Sequence, residues 1–266
     1  MLPDPALVIT TYTQAADTFD DLPFWHHYGR RTVELADIRA GERVLDLCCG
    51  TGASALPAAR AVGRTGSVLG VDLTPALVQV ARANAAHQGL AQVRFEAGDV
   101  TALRFAPGSF DVVQSVFGLF FVPDMAAMLR AAWGWLAPGG RLATTVWGRT
   151  VLAPGEPYFW EAVTREDPSL DHISPAALLA EPEALLRLHV EAGVAVPEVT
   201  CESWRMPLGS PEAFWSVIMG TSNRGVFEAL PPDAQRRVKH ATIDRLRADG
   251  VDALTMDALI AVARKP

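Results

Sequence analysis

Gly50 and Gly52 stand in Val44-Leu-Asp-Leu-Cys-Cys-Gly-Thr-Gly-Ala-Ser-Ala55, where an apolar run passes into a turn and then into a helical stretch through Arg60. Glycine removes the Cβ that would keep a ligand away and permits a tight strand-to-helix turn, so backbone approaches a bound group here. Gly50, Gly52 and Ala55 also satisfy the dinucleotide pattern G-x-G-x-x-A, and Asp72 lies 20 residues after Gly52, where a ribose-binding acid is expected. Charge separates the possible ligands. Asp46 ends the apolar run four residues before Gly50. Its carboxylate would repel a pyrophosphate and attract a ligand that carries an ammonium and a sulfonium in a partly desolvated cleft. A nicotinamide dinucleotide remains the competing ligand.

These residues need a frame that sets them side by side. Through the first 150 residues short β-rich runs alternate with Ala- and Leu-rich helical stretches, the pattern of βαβ units around a parallel sheet. Strands are predicted at Arg43–Leu47, Ser67–Val71, Val93–Ala97, Phe110–Val116 and Arg141–Trp147. Such sheets bind ligands beyond the carboxyl ends of their strands. Thr74-Pro75 predicts a helix N-cap and first-turn proline. Met125, Met128, Leu129, Ala132, Trp133 and Leu136 follow helical spacing, and Pro138-Gly139-Gly140 predicts the stop. After residue 150, prolines 154, 157, 168, 175 and 182 punctuate short helical pieces, which predicts a helical insertion. Val194–Met206 has strand character, Pro232–Leu246 helical character, and Ala258–Ala263 suits a buried last strand.

The ordered motifs carry a resemblance. Asp46-Leu-Cys-Cys-Gly-Thr-Gly52 resembles the first motif of class I S-adenosylmethionine-dependent methyltransferases, Gly70-Val-Asp72 the second strand end and Gly98-Asp99-Val100 the third. Phe110-Asp-Val-Val-Gln-Ser115 is similar to the fourth strand and Leu136-Ala-Pro-Gly-Gly-Arg141 to the loop before the fifth. Phe117-Gly-Leu-Phe-Phe-Val-Pro-Asp124 and Thr145-Val-Trp147 look like the quinone-biosynthesis and small-molecule branch. The resemblance covers roughly residues 40 to 147. It departs at Ala131 and Gly134, where a Glu and an Arg are common, and at Cys48, where Gly is usual.

The resemblance implies a Rossmann-like α/β fold: a mostly parallel seven-stranded sheet, helices on both faces, and a helical cap. It implies one domain over 1–266, with a lid (1–40), a cofactor core (41–150), the cap insertion (151–193) and a closing segment (194–266) that completes the sheet. The cofactor implied is S-adenosyl-L-methionine, with S-adenosyl-L-homocysteine as product. Its implied contacts are Asp46, Cys48, Gly50, Thr51, Gly52, Asp72, Leu73, Gly98, Asp99, Val100, Ser115, Val116 and Phe117, with Tyr12 and Phe19 from the lid. Asp72 would meet the ribose hydroxyls, and Asp99 the adenine amine.

Methyl transfer from a sulfonium is an in-line displacement, so a protein chiefly excludes water, aligns the nucleophile and, where needed, removes a proton. His26 and His27 in the lid segment supply an imidazole, of which at most one faces a given cleft. A capped or solvent-facing pair is the alternative. His172 is a further option, while His87, His189 and His240 sit in helical contexts that suggest surface. Trp25, Phe117, Phe120, Phe121, Trp147, Tyr158, Trp160, Phe214 and Trp215 are expected near an apolar or aromatic acceptor, or else in the core under the insertion. Asn223 and Arg224 offer polar contacts to an acceptor or to a helix start. Glu161, Glu166 and Asp167, interrupted by Arg165, read as an exposed helix face, and no metal is expected.

Composition bounds the rest. The 266 residues carry 23 Lys and Arg against 30 Asp and Glu, a net charge of −7, without the cation clusters that phosphate neutralisation requires, so nucleic acid is not an expected partner. Cys48, Cys49 and Cys201 are too few for a disulfide framework or a four-cysteine zinc site. No signal-like start and no membrane span are read, so a cytoplasmic protein is expected, as monomer or homodimer. The expected function is methyl transfer to a small metabolite. The alternatives are an NAD-dependent oxidoreductase and a methyltransferase fold that holds the cofactor without transferring methyl, as a cyclase or regulatory module.

Overall fold

The computed structural model describes residues 5–170 and 175–266. Seven strands form one sheet in the order β3-β2-β1-β4-β5-β7-β6. They are β1 (Arg43–Leu47), β2 (Ser67–Asp72), β3 (Val93–Ala97), β4 (Phe110–Val116), β5 (Leu136–Trp147), β6 (Glu198–Pro207) and β7 (Ala253–Arg264). The first five pair in parallel, and β7 lies antiparallel between β5 and β6. The sheet is therefore mostly parallel, and the strand order reverses between β1 and β4, where such sheets open a crevice for ligand.

Side-chain alternation assigns each face. Leu45, Leu47, Val113 and Leu142 pack in one core with Met128, Leu129 and Ala132 of α5 (Met125–Trp135), whereas Val44, Val112 and Ala143 pack with the alanines of α3 (Ala55–Val62). Besides α3 and α5, the helices are α1 (Pro5–Ala15), α2 (Pro23–Leu35), α4 (Pro75–His87), α6 (Gly155–Glu166), α7 (Pro182–Ala192), α8 (Phe214–Met219), α9 (Asn223–Ala229) and α10 (Pro232–Ala248). The buried Arg141 joins the start of β5 to the end of α2, donating to the Ala36 carbonyl at 2.9 Å and to Glu42 at 2.6 Å.

The structure revises several local expectations. β5 begins at Leu136, because Pro138-Gly139-Gly140 continues the strand through a register shift opposite Phe110 and Val112, and Gly139 and Gly140 bond to the backbone of Lys265. The Thr74 side chain makes no cap bond; its backbone N–H instead donates to Asp72 at 2.8 Å. On α5 the buried tryptophan is Trp135, with Trp133 half-buried. His189, expected at the surface, is fully buried, its Nδ1 2.8 Å from the Leu185 carbonyl. His172 lies outside the described residues. No described helix is long and apolar enough to cross a membrane.

Candidate active site

The turn after β1 takes left-handed backbone at three positions, Cys48 (φ 58°), Gly50 (φ 53°) and Gly52 (φ 91°). Glycine adopts this freely; a cysteine does so at a cost of about 1–2 kcal/mol. Cys48 is accommodated because Gly118, just after β4, has no side chain: a Cβ there would lie 2.3 Å from Cys48 Cβ and 3.0 Å from its Sγ. The turn's N–H groups are largely spoken for. Cys49 donates to the Val71 carbonyl at 3.1 Å, Gly52 to the Cys49 carbonyl at 2.9 Å and Gly50 to Asp72 Oδ2 at 2.8 Å. A pyrophosphate depends on such donors and would find instead a carboxylate holding one of them.

Asp46 and Asp72 give this crevice its charge. Asp72 receives the N–H groups of Gly50 and Thr74, one on each oxygen, and is 8% exposed. Asp46 is fully buried. Its Oδ2 accepts the Ser54 hydroxyl at 2.6 Å at the start of α3, and Oδ1, on the residue paired with Gln114 of β4, has no hydrogen bond among the described residues. Burial pushes its carboxyl up to about 7, with nearby Asp72 adding to the rise, while Asp72 is itself raised by burial. Asp46 is thus an under-satisfied, fully buried carboxyl. Among the described residues neither acid has a cationic partner. The residues fit a cationic ligand, as S-adenosyl-L-methionine is, and do not fit a dinucleotide.

Of the remaining motif residues, Asp99 Oδ1 accepts the Thr101 N–H at 2.8 Å and hydroxyl at 2.7 Å, shaping the turn after β3 that begins at Gly98. Val100 is buried beside it. Leu73 and Val116 are half-buried at the ends of β2 and β4. Ser115 turns its unpartnered, buried hydroxyl to the α5 side of the sheet.

The N-terminal helices cover this crevice. The Phe19 ring lies over Gly50, where a Cβ would be 3.5 Å from it, and stacks on Trp25 at 4.8 Å. Tyr12 sits edge-on to Phe19 and Phe121, and burial with the nearby Asp72 raises its phenol. Asp20 latches the cover, accepting the Thr51 hydroxyl and, at 2.7 Å, the Asn84 amide. His26 is 3.8 Å from Asp20 on the outer side of this latch. His27 stacks on Trp204 of β6 at 4.2 Å, and burial lowers its pKa. Neither histidine lines the cavity described next, which removes the geometric support for either as a base.

A cavity of about 850 Å³ opens at the carboxyl ends of β4 and β5. Trp25, Phe120, Phe121 and Trp147 line it with Phe117, which stacks on Trp147 at 3.6 Å, and Tyr12 lines it from the lid. Asn223 is also in the wall. Several expected contacts are elsewhere. Tyr158 points outward and donates to Asp249 at 2.7 Å; Trp215 packs edge-on against Phe227 at 4.6 Å under Lys239; Arg224 pairs with Glu228 and donates to the Gln14 carbonyl at 3.0 Å, tying α9 to α1. Trp160 is in the wall as well, and so is Glu156, which the sequence did not single out. Helical spacing on α6 contains a signal, since Glu156 and Trp160 are four residues apart and share a face that excludes Tyr158.

The comparisons agree with this geometry. A methyltransferase-domain family matches residues 44–140. Aklanonic acid methyltransferase of Streptomyces sp. strain C5 is 36% identical over 140 residues, covering 52% of this chain and 64% of that protein. Demethylmenaquinone methyltransferase of Lactococcus lactis is 37% identical over 112 residues, 42% of this chain and 44% of that one. The chain thus spans less than two thirds of either relative. The crystal structure of an arsenic(III) S-adenosylmethionine methyltransferase from Chlamydomonas reinhardtii superposes with a TM-score of 0.52 at 26% identity, covering 86% of this chain and 65% of that one. Residues 44–140, which run from β1 into β5, thus match a methyltransferase domain.

Proposed function

We propose that the chain transfers a methyl group from S-adenosyl-L-methionine to a planar aromatic metabolite of the polyketide or quinone type. The observation that carries the acceptor class is the aromatic cavity of about 850 Å³, whose Tyr12 wall is edge-on to Phe19 over Gly50 of the cofactor turn. That volume is toward the upper end of the ~300–1,000 Å³ found for small-molecule sites and suits fused rings better than a small polar acceptor. The named substrates of the relatives, aklanonic acid and demethylmenaquinone, belong to the same chemical class.

The roles follow from placement. Asp46, Asp72 and the 48–52 turn bind the cofactor with Leu73, Gly98, Asp99, Val100, Ser115, Val116 and Phe117, and Tyr12 and Phe19 exclude water above it. Trp25, Phe120, Phe121, Trp147 and Asn223 hold the acceptor. Residues 1–40 act as lid and the segments after 150 as cap, within one functional unit. The cofactor supplies an electrophilic methyl on sulfur; the protein orients the acceptor in line with it and keeps the site dry.

The test is incubation with methyl-labelled S-adenosyl-L-methionine and a panel of hydroxylated anthraquinones and naphthoquinols, with products read by mass. A labelled aromatic product with stoichiometric S-adenosyl-L-homocysteine is expected. Tight cofactor binding with no transfer across the panel would favour the non-transferring reading instead.

A further inference from the structure

Glu156 stands in the first turn of α6, in the wall of the aromatic cavity, and Asn223 opens α9 across from it. The Asn223 amide, itself only 4% exposed, donates to Glu156 Oε1 at 2.9 Å. No described residue donates to Oε2. The other acid of the wall, Glu181, is paired with Arg149, so Glu156 is the one acid among the described wall residues with no cationic partner. A carboxylate among aromatic rings without a cation opposes folding, and such groups cluster where chemistry is done.

We propose that Glu156 is the general base that deprotonates the acceptor, with Asn223 as its positioning residue; this rests on the methyl-transfer reading above. Oε2 takes the proton of a phenolic hydroxyl. The oxygen lone pair forms the new O–CH3 bond as the methyl–sulfur bond breaks, and that bond's electron pair leaves with sulfur as a neutral thioether. The proton on Glu156 returns to water with product release. Burial raises the Glu156 carboxyl, which improves it as a proton acceptor for a phenol, and the Asn223 hydrogen bond draws it partly back.

The experiment compares wild type, Glu156→Gln and Asn223→Ala on the full chain, using 1,8-dihydroxyanthraquinone as probe. Glu156→Gln is expected to lower kcat ~100-fold or more with KM within about threefold, and to lose the acid limb of the pH profile. Its S-adenosyl-L-homocysteine affinity should stay at the wild-type value, and its Tm should not fall. Asn223→Ala removes a bond that favours the ionised form, so the acid limb moves to higher pH. An activity-independent readout is the absorbance titration of the bound dye: a carboxylate beside the hydroxyl disfavours the phenolate, so the dye ionises at higher pH in wild type than in Glu156→Gln. Equal dye titration in the two proteins, or an unchanged pH profile in Glu156→Gln, overturns the proposal. Dye binding without methyl transfer by wild type overturns the methyl-transfer reading instead, while the dye titration still decides whether Glu156 faces the hydroxyl.

Discussion

Asp46 shows how much depends on which way one side chain points. It lies in β1 two residues after Val44, so period-2 alternation puts both on the α3 face, and there Asp46 meets Ser54 rather than solvent. With its folded pKa raised to about 7, folding favours its protonated form below that pH. Stability from this group is therefore fully present below the unfolded pKa of ~3.9 and is lost progressively until pH reaches about 7. Asp46→Asn should raise Tm at pH ~8, raise it less at pH ~5 and leave it nearly unchanged at pH ~3.5, which thermal melts at the three values check. A bound cation reverses the balance. S-adenosyl-L-methionine binding should release protons between pH ~5.5 and ~7 and weaken as pH falls, measured by calorimetry in buffers of different ionisation enthalpy. Cys48 and Gly118 form a second residue-scale pair. Gly118→Ala should cost ~1–3 kcal/mol by overpacking, and Cys48→Gly in the same chain should recover most of it, as a double-mutant cycle in denaturant would show. The departure at Cys48 is visible in the sequence, but its partner, 70 positions away, is visible only in the fold.

The strands that carry the site were legible because each is a short β-rich run ended by Gly, Asp or an aromatic residue, and β1, β3 and β4 keep their expected limits. The start of β5 was not, since Pro-Gly-Gly reads locally as a break while pairing with Lys265 keeps it in the sheet. The aromatic residues ahead of β1 were legible in the sequence, but the contacts that hold them over the turn join Asp20 to Thr51 and Asn84 from three separate elements. Removing that shared acceptor should free the cover without disturbing the sheet. Asp20→Ala is expected to speed limited proteolysis within the N-terminal helices and to raise the S-adenosyl-L-homocysteine off-rate about tenfold, equivalent to losing ~1.4 kcal/mol. Stopped-flow displacement and a protease time course read the two effects, and Tm should change by no more than a few degrees.

Over the whole molecule, two chemistries meet at one sheet edge: a crevice with two acids, Asp46 and Asp72, that have no cationic partner among the described residues, and an aromatic cavity beside it. The first was readable because its motifs are contiguous. The second draws its wall from α1, α2, the ends of β4 and β5, α6 and α9, so no local pattern announces it, and Tyr158, Trp215 and Arg224 were placed by residue type where helix face decides. The account rests on the claim that this crevice selects a sulfonium over a diphosphate. Calorimetric titration of the purified chain with S-adenosyl-L-methionine and, separately, with NAD tests it directly. Saturable one-to-one binding of the first with no heat from the second is predicted; NAD binding without S-adenosyl-L-methionine binding would contradict it.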